Sequence, residues 1–207
     1  MKILKKVASI EVRRAFVIAN HITDRKDAGN NRTYLKAVSE EEFRKRLLKT
    51  KKAILKLKAE KLDTLVSPKW PKRLKAYKAS DWFLAEVSPK EVGVWRRAGN
   101  LPLEWTNRSL FETAQKVKIA FDKNSKLLRA RPRHSIPNVL KLKTHLNQKE
   151  KYLYPIVFKG GTGTLGRKRL RFQTKGDIDD GCMRSIALAI SGRNPIKVYF
   201  GVPPREA

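Results

Sequence analysis

Residues 152–202 read YLYPIVFKGGTGTLGRKRLRFQTKGDIDDGCMRSIALAISGRNPIKVYFGV, and their reading decides the fold. Two apolar runs rich in β-branched and aromatic residues, 154–158 and 196–200, have the composition of buried strands. Between them, Asp180-Gly181-Cys182-Met183-Arg184 leads into Ile186, Ala187, Leu188 and Ile190, which predicts a helix over 180–191. A strand that turns through glycine into a helix exposes the first backbone N–H groups of that helix. Together with the helix dipole they make a site for an anion or a phosphate.

The chain carries 48 Lys and Arg against 19 Asp and Glu in 207 residues, a net charge of +29. Its 41% hydrophobic content suffices for a packed core, as one domain with an extension or as two small domains. The basic residues are spread along the whole chain. Such charge implies a polyanionic partner, nucleic acid with DNA foremost, held by salt-sensitive phosphate contacts. The competing reading is a solvated, lysine-rich surface. No run of 18 apolar residues occurs, and the first 16 residues are charged throughout, so neither a membrane span nor a secretory signal is expected. Cys182 is the single cysteine, which precludes an internal disulfide and fits a reducing, cytoplasmic or nucleoid-associated setting. Trp82, Trp95 and Trp105 fall within 24 residues. They read as core or cap residues, with base stacking as the alternative for one of them.

Residues 1–80 read as a basic, mainly helical extension. Ser39-Glu40-Glu41-Glu42 has the pattern of a capping box and places three carboxylates at the positive end of the helix that follows. Phe43, Leu47, Leu48, Ile54, Leu55, Leu62 and Leu65 recur along it at helical spacing as a packing stripe. Its other faces hold Arg44, Lys45, Arg46, Lys49, Lys51, Lys52, Lys56 and Lys58, a surface that is either solvated or lies along a phosphate backbone; Lys51 and Lys52 are the candidate contacts. Ser67-Pro68-Lys69-Trp70-Pro71 ends the helix and marks a boundary. The remainder predicts a strand over 82–87, a helix over 108–121 capped by Asn107, and a helix after Pro137 aligning Val139, Leu142 and Leu146. A strand over 152–158, a glycine-rich loop over 160–166, a basic strand over 168–173, the helix over 180–191 and a strand over 195–200 complete it. Alternating helix and strand over 81–207 predict an α+β domain.

The order of these elements, with Tyr152-Leu153-Tyr154-Pro155-Ile156-Val157 before Asp180, Gly181, Arg184, Ala187 and Gly192, resembles the ParB/sulfiredoxin-like fold, which includes the ParB-like nuclease domain. The likeness covers roughly residues 82–203 and matches that family's "G-L-x-x-P-I-x-V" and "D-G-x-x-R-x-x-A-x-x-x-x-G" patterns. It implies a mixed-sheet domain in which the backbone of Gly181, Cys182 and Met183 cradles a nucleotide phosphate and Arg184 pairs with it. A guanidinium suits that task because its planar fork meets phosphate oxygens bidentately. The family's activities, ATP or CTP hydrolysis, DNA nicking and phosphoryl transfer, imply catalytic roles for Asp180 and Arg184. They also imply a Mg²⁺ or other divalent metal held by Asp177, Asp179 and Asp180. The bland counterpart makes Asp180 an N-cap, Arg184 a surface residue, and Asp177 and Asp179 parts of a turn.

Departures from the family pattern narrow these expectations. Partitioning members continue into a helix-turn-helix and a dimerisation tail; none follows in this sequence, so a partitioning role is not expected. Sulfiredoxins carry Gly-Cys-His-Arg where this chain has Gly181-Cys182-Met183-Arg184, so the thiol lacks an adjacent general base and reads as a small residue at a tight helix start rather than a nucleophile. The run Gly160 to Gly166 lacks the Gly-Lys-Ser/Thr ending of a P-loop; flanked by Lys159, Arg167, Lys168 and Arg169 it reads as a hairpin or lid touching nucleic acid. His21, His134 and His145 have no metal-ligand spacing, and His134 is an acid–base candidate only by its basic surroundings. The expected function is nucleic-acid binding with a ParB-like phosphate site. Metal-assisted phosphodiester or nucleotide hydrolysis, or phosphoryl transfer, would act on DNA. The alternative is a non-catalytic DNA- or RNA-binding protein.

Overall fold

Alternation along three strands sets the architecture. Trp82, Ile156, Phe158 and Tyr199 fall in one buried cluster, while Ala85, Val87, Val157, Val198 and Phe200 fall in another. Successive strand residues point to opposite faces, so both faces of the sheet are covered by helices. The computed structural model describes residues 1–22, 39–66, 71–129, 135–160 and 174–204. Its strands are β1 (Lys2–Val7), β2 (Asp81–Val87), β3 (Val92–Val94), β4 (Arg108–Ser109), β5 (Ile156–Lys159), β6 (Gly176–Asp180) and β7 (Ile196–Val202). They form a seven-stranded mixed sheet in the order β1-β2-β7-β5-β6-β3-β4. The β5–β7 and β3–β6 pairs are parallel and the others antiparallel. The protein is therefore a mixed α+β fold.

One face is covered by α1 (Ser9–His21), α2 (Glu40–Leu55), α3 (Ala59–Val66) and α4 (Pro71–Ala79). The other takes α5 (Leu110–Asp122), α6 (Ser135–Leu140) and α8 (Cys182–Ile190), while α7 (Lys143–Leu146) follows α6. The N-terminal segment is thus a full layer of the fold. Val12, Phe16, Val17 and Ile18 of α1 share a cluster with Trp82 and Phe158, and β1 pairs with β2 in the same sheet. Amphipathic stripes of this size need a partner surface, and the sheet is the one available. Strand β1 was not foreseen: KILKKV is a mostly exposed edge strand whose lysines blunt the edge and obscure its alternation.

Ser39 caps α2 as expected, its hydroxyl accepting from the Glu42 N–H at 3.1 Å. The single long helix expected beyond it breaks into α2 and α3 at residues 56–58, which lets Leu62 and Val66 bury against the same core. Ser109, not Asn107, caps the next helix, through a full capping box with Glu112. Asn107 sits before it with φ +61°. The helix after Pro137 instead starts at Ser135, with the proline in its first turn, and stops at Leu140. The strand expected over 152–158 opens as a single 3-10 turn, Lys151–Leu153. Pairing begins only after Pro155, which has no N–H to offer a neighbouring strand. The expected basic strand over 168–173 lies outside the described residues.

Candidate phosphate site

Strand β6 runs directly into α8 through Gly181, whose φ of +86° and ψ of +22° form a left-handed N-cap. An L side chain would be strained there, which explains the glycine. No side chain caps α8, so its first N–H groups keep their capacity for an anion. The helix starts two residues later than expected. Asp180 is the last strand residue and not an N-cap.

Arg184 reaches back one turn to Asp180, with Nη2 donating to Oδ2 at 2.9 Å. Its guanidinium lies against the N-cap: a Cβ on Gly181 would meet Nη2 at 2.8 Å and Nε at 3.3 Å. Asn20 of α1 donates to the other Asp180 oxygen at 3.3 Å. Asp179, one residue earlier, is paired to the opposite layer. Arg73 of α4 grips it bidentately, with both contacts 3.0 Å, and the Tyr77 hydroxyl donates to it at 2.6 Å. Burial opposes the Arg73 charge, yet the adjacent Asp179 carboxylate outweighs it and raises the Arg73 pKa. Burial and then the same carboxylate push the Tyr77 hydroxyl well above its usual range.

These groups open into a pocket of about 220 Å³ between the two helical layers. Ala19, Asn20, Ile22 and Phe43 line it from one layer, and Trp95, Ser135, Val139 and residues 181–184 from the other. His145 of α7 joins them, its ring 4.7 Å from that of Phe43. Burial, then the Arg184 charge, lowers the His145 pKa to about 3. Gly181, Cys182, Met183, Arg184, Asp179 and Asp180 are therefore brought together, whereas Asp177 does not line the pocket and accepts from Thr174 at 3.0 Å. Asp177 stands apart, and the oxygens of Asp179 and Asp180 are engaged by Arg73, Tyr77, Asn20 and Arg184. Among the described residues no group of three or more His, Cys, Asp or Glu could hold a metal ion. The Cys182 thiol donates to the Ile178 carbonyl at 3.8 Å, as a small residue tucked into the turn would.

Lys51 is partly buried: its ammonium pairs with Glu150 at 2.6 Å and lies over the Tyr152 ring. Lys52 is exposed, as are Lys49, Lys56, Lys58, Lys61, Lys72 and Lys75 on the α2–α4 layer. Arg167, Lys168, Arg169, His134 and the loop from Gly161 to Gly166 lie outside the described residues. Trp82 is fully buried and donates to the Tyr77 carbonyl at 2.8 Å; of the clustered tryptophans it is Trp95 that lines the pocket. Sequence reasoning passed over Ser135, Asn20 and Arg73, and weighed His145 only for metal-ligand spacing. None carries a local motif, and only the meeting of α1, α4, α6 and α7 around β6 brings them to Gly181.

No family model matches the chain, and neither a curated protein nor a solved structure matches it. Among the described residues no helix is long and apolar enough to cross a membrane.

Proposed function

We propose that this is a nucleic-acid-binding protein of ParB/sulfiredoxin-like fold that holds a phosphate group at the start of α8. One observation carries the reading: α8 begins without a side-chain cap, inside a pocket, with the Arg184 guanidinium laid against Gly181. The net charge of +29 and the exposed lysines of α2–α4 support a polyanionic partner. Hydrolysis of a phosphodiester, ATP or CTP is the activity the resemblance implies. The commitment of Asp179 to Arg73 and Tyr77 favours the second reading, in which the same site binds phosphate without cleaving it.

The test is a salt titration of binding to single-stranded and duplex DNA and RNA, run beside a turnover screen with plasmid, ATP and CTP in Mg²⁺ or Mn²⁺. Steep weakening with salt supports nucleic-acid binding, and salt-insensitive or absent binding overturns it. Loss of nucleotide or inorganic phosphate binding in Arg184→Ala supports the α8 site. Unchanged binding places the phosphate elsewhere.

A further inference from the structure

Among the described residues, buried polar atoms of the pocket lining that find no hydrogen-bond partner include Ser135 Oγ, His145 Nε2 and Arg184 Nε. Ser135 is 4% exposed and His145 6%. Buried polar groups are ordinarily satisfied, because leaving one unpaired costs stability; several around a single pocket point to a ligand that completes them. The carboxylates beside them are already engaged, Asp179 by Arg73 and Tyr77, Asp180 by Asn20 and Arg184. What the pocket still offers is mainly donors: the Arg184 Nε–H, the Ser135 hydroxyl and the first N–H groups of α8. His145 adds one ring nitrogen that donates or accepts according to its tautomer.

The rest of the lining is apolar and aromatic, with Ile22, Phe43, Val139 and Trp95. Size decides what enters. The pocket volume of about 220 Å³ exceeds the ~150 Å³ of a benzene-binding cavity and falls short of the ~300 Å³ at which drug-sized sites begin. A nucleic-acid duplex is far too wide for such a recess.

We infer that the pocket takes a free small organic phosphate: its phosphoryl group meets Arg184 and the start of α8, and an uncharged, ring-sized body with a hydroxyl-like group meets Ser135 and His145 between the apolar walls. Ser135 and His145 are then specificity-determining residues. This inference rests on the phosphate reading of the α8 start and adds the class of ligand and the residues that select it.

Calorimetric titration of the full chain with inorganic phosphate, phenyl phosphate and 4-hydroxyphenyl phosphate tests it, beside single-stranded and duplex oligonucleotides. The expected order is 4-hydroxyphenyl phosphate tightest and inorganic phosphate weakest. Ser135→Ala and His145→Leu should each remove the roughly five- to tenfold advantage of the hydroxyl and leave inorganic phosphate binding in place. Arg184→Ala should weaken all three. Ser135→Ala removes an unpaired hydroxyl and should fold at least as well as the parent, so it decides the matter if His145→Leu fails to fold. Organic phosphates that bind no tighter than inorganic phosphate, with both variants silent, overturn the inference and leave the phosphate reading standing. Oligonucleotides that compete with inorganic phosphate for the Arg184-dependent site also overturn it, since the site would then serve the nucleic-acid backbone. Absence of any phosphate binding removes both.

Discussion

The Arg184 guanidinium lies against Gly181, so closely that a methyl group on the glycine would stand 2.8 Å from Nη2. The N-cap and the arginine therefore share one piece of space, and the glycine answers two demands, a φ of +86° and room for a cation. Gly181→Ala meets both obstacles. The left-handed backbone costs about 1–2 kcal/mol for an L residue, while the guanidinium, at the end of a flexible chain, yields more cheaply. The variant should unfold at lower urea and lose phosphate affinity as Arg184 leaves its place. Denaturation curves and phosphate titration measure the two effects separately.

Asp179 has a side chain with 0% exposure and is held by Arg73 from the neighbouring helical layer. Removing the arginine leaves a buried carboxylate without its counter-charge, so Arg73→Ala should destabilise by about 3–5 kcal/mol. Tyr77→Phe removes one donor to the same carboxylate and should cost about 1–3 kcal/mol. Because the two donors share an acceptor, their effects should not add. A double-mutant cycle by chemical denaturation reads the coupling, and additive losses would show that the network is not cooperative.

Local signals carried the parts of this fold that sequence reasoning found. Ser39 with its trailing carboxylates, the apolar run of β7 and the glycine before α8 each declare themselves within a few residues. Parts made by tertiary meeting stayed hidden. Asp177, Asp179 and Asp180 read as one acidic cluster, yet Arg73, Asn20 and Arg184 divide the last two and Asp177 turns to Thr174. His145 shows no metal-ligand spacing in the sequence, and nothing near it in the chain predicts Phe43 above its ring or Arg184 beside it. Lys51 belonged visually to a basic helix face, and only the fold brings Glu150 to it.

Gly201 lies on β7 beneath Trp82, where an added Cβ would meet the indole at 2.7 Å and Phe158 at 3.1 Å. The indole is fully buried and fixed by its hydrogen bond to the Tyr77 carbonyl, so it has little freedom to yield. Gly201→Ala should therefore overpack the core and cost about 1–3 kcal/mol. A stability equal to the parent's would mean that the Trp82 layer is looser than its contacts indicate.

Acid should weaken the fold in two steps. His145 has its pKa lowered from 6.5 to about 3 by burial and by Arg184. The unfolded chain takes up this proton as pH falls through 6.5, and the folded chain resists it until about 3, so His145 stability is complete above 6.5 and is lost between those values. Glu91 follows lower down. Against partial burial, Lys175, the N-terminal ammonium and the Ser88 N–H hold it to about 2, and its contribution disappears as pH falls from 4.5. Urea midpoints should fall between pH 7 and 5 in the parent and stay nearly level over that range in His145→Leu. An equal fall in both would assign the effect to another group.

Lys51 and Lys52 are neighbours in the chain with different expected roles, which gives the nucleic-acid reading its sharpest control. Lys52 and Lys49 are exposed on α2 and Lys56 is exposed at its C-cap, and none of the three has an ion pair among the described residues. Each lysine that neutralises a backbone phosphate releases a counterion and adds close to one unit to the salt slope of binding. The triple variant Lys49→Ala, Lys52→Ala, Lys56→Ala should therefore weaken binding to all sequences alike and flatten the slope by about 2–3 units. Lys51→Ala removes one positive charge from the same helix, as Lys52→Ala alone would, but breaks the contact to Glu150, so it should lower stability and leave the slope nearly unchanged. Equal slopes in the parent and the triple variant would move the nucleic-acid contact away from α2, whatever the net charge of the chain.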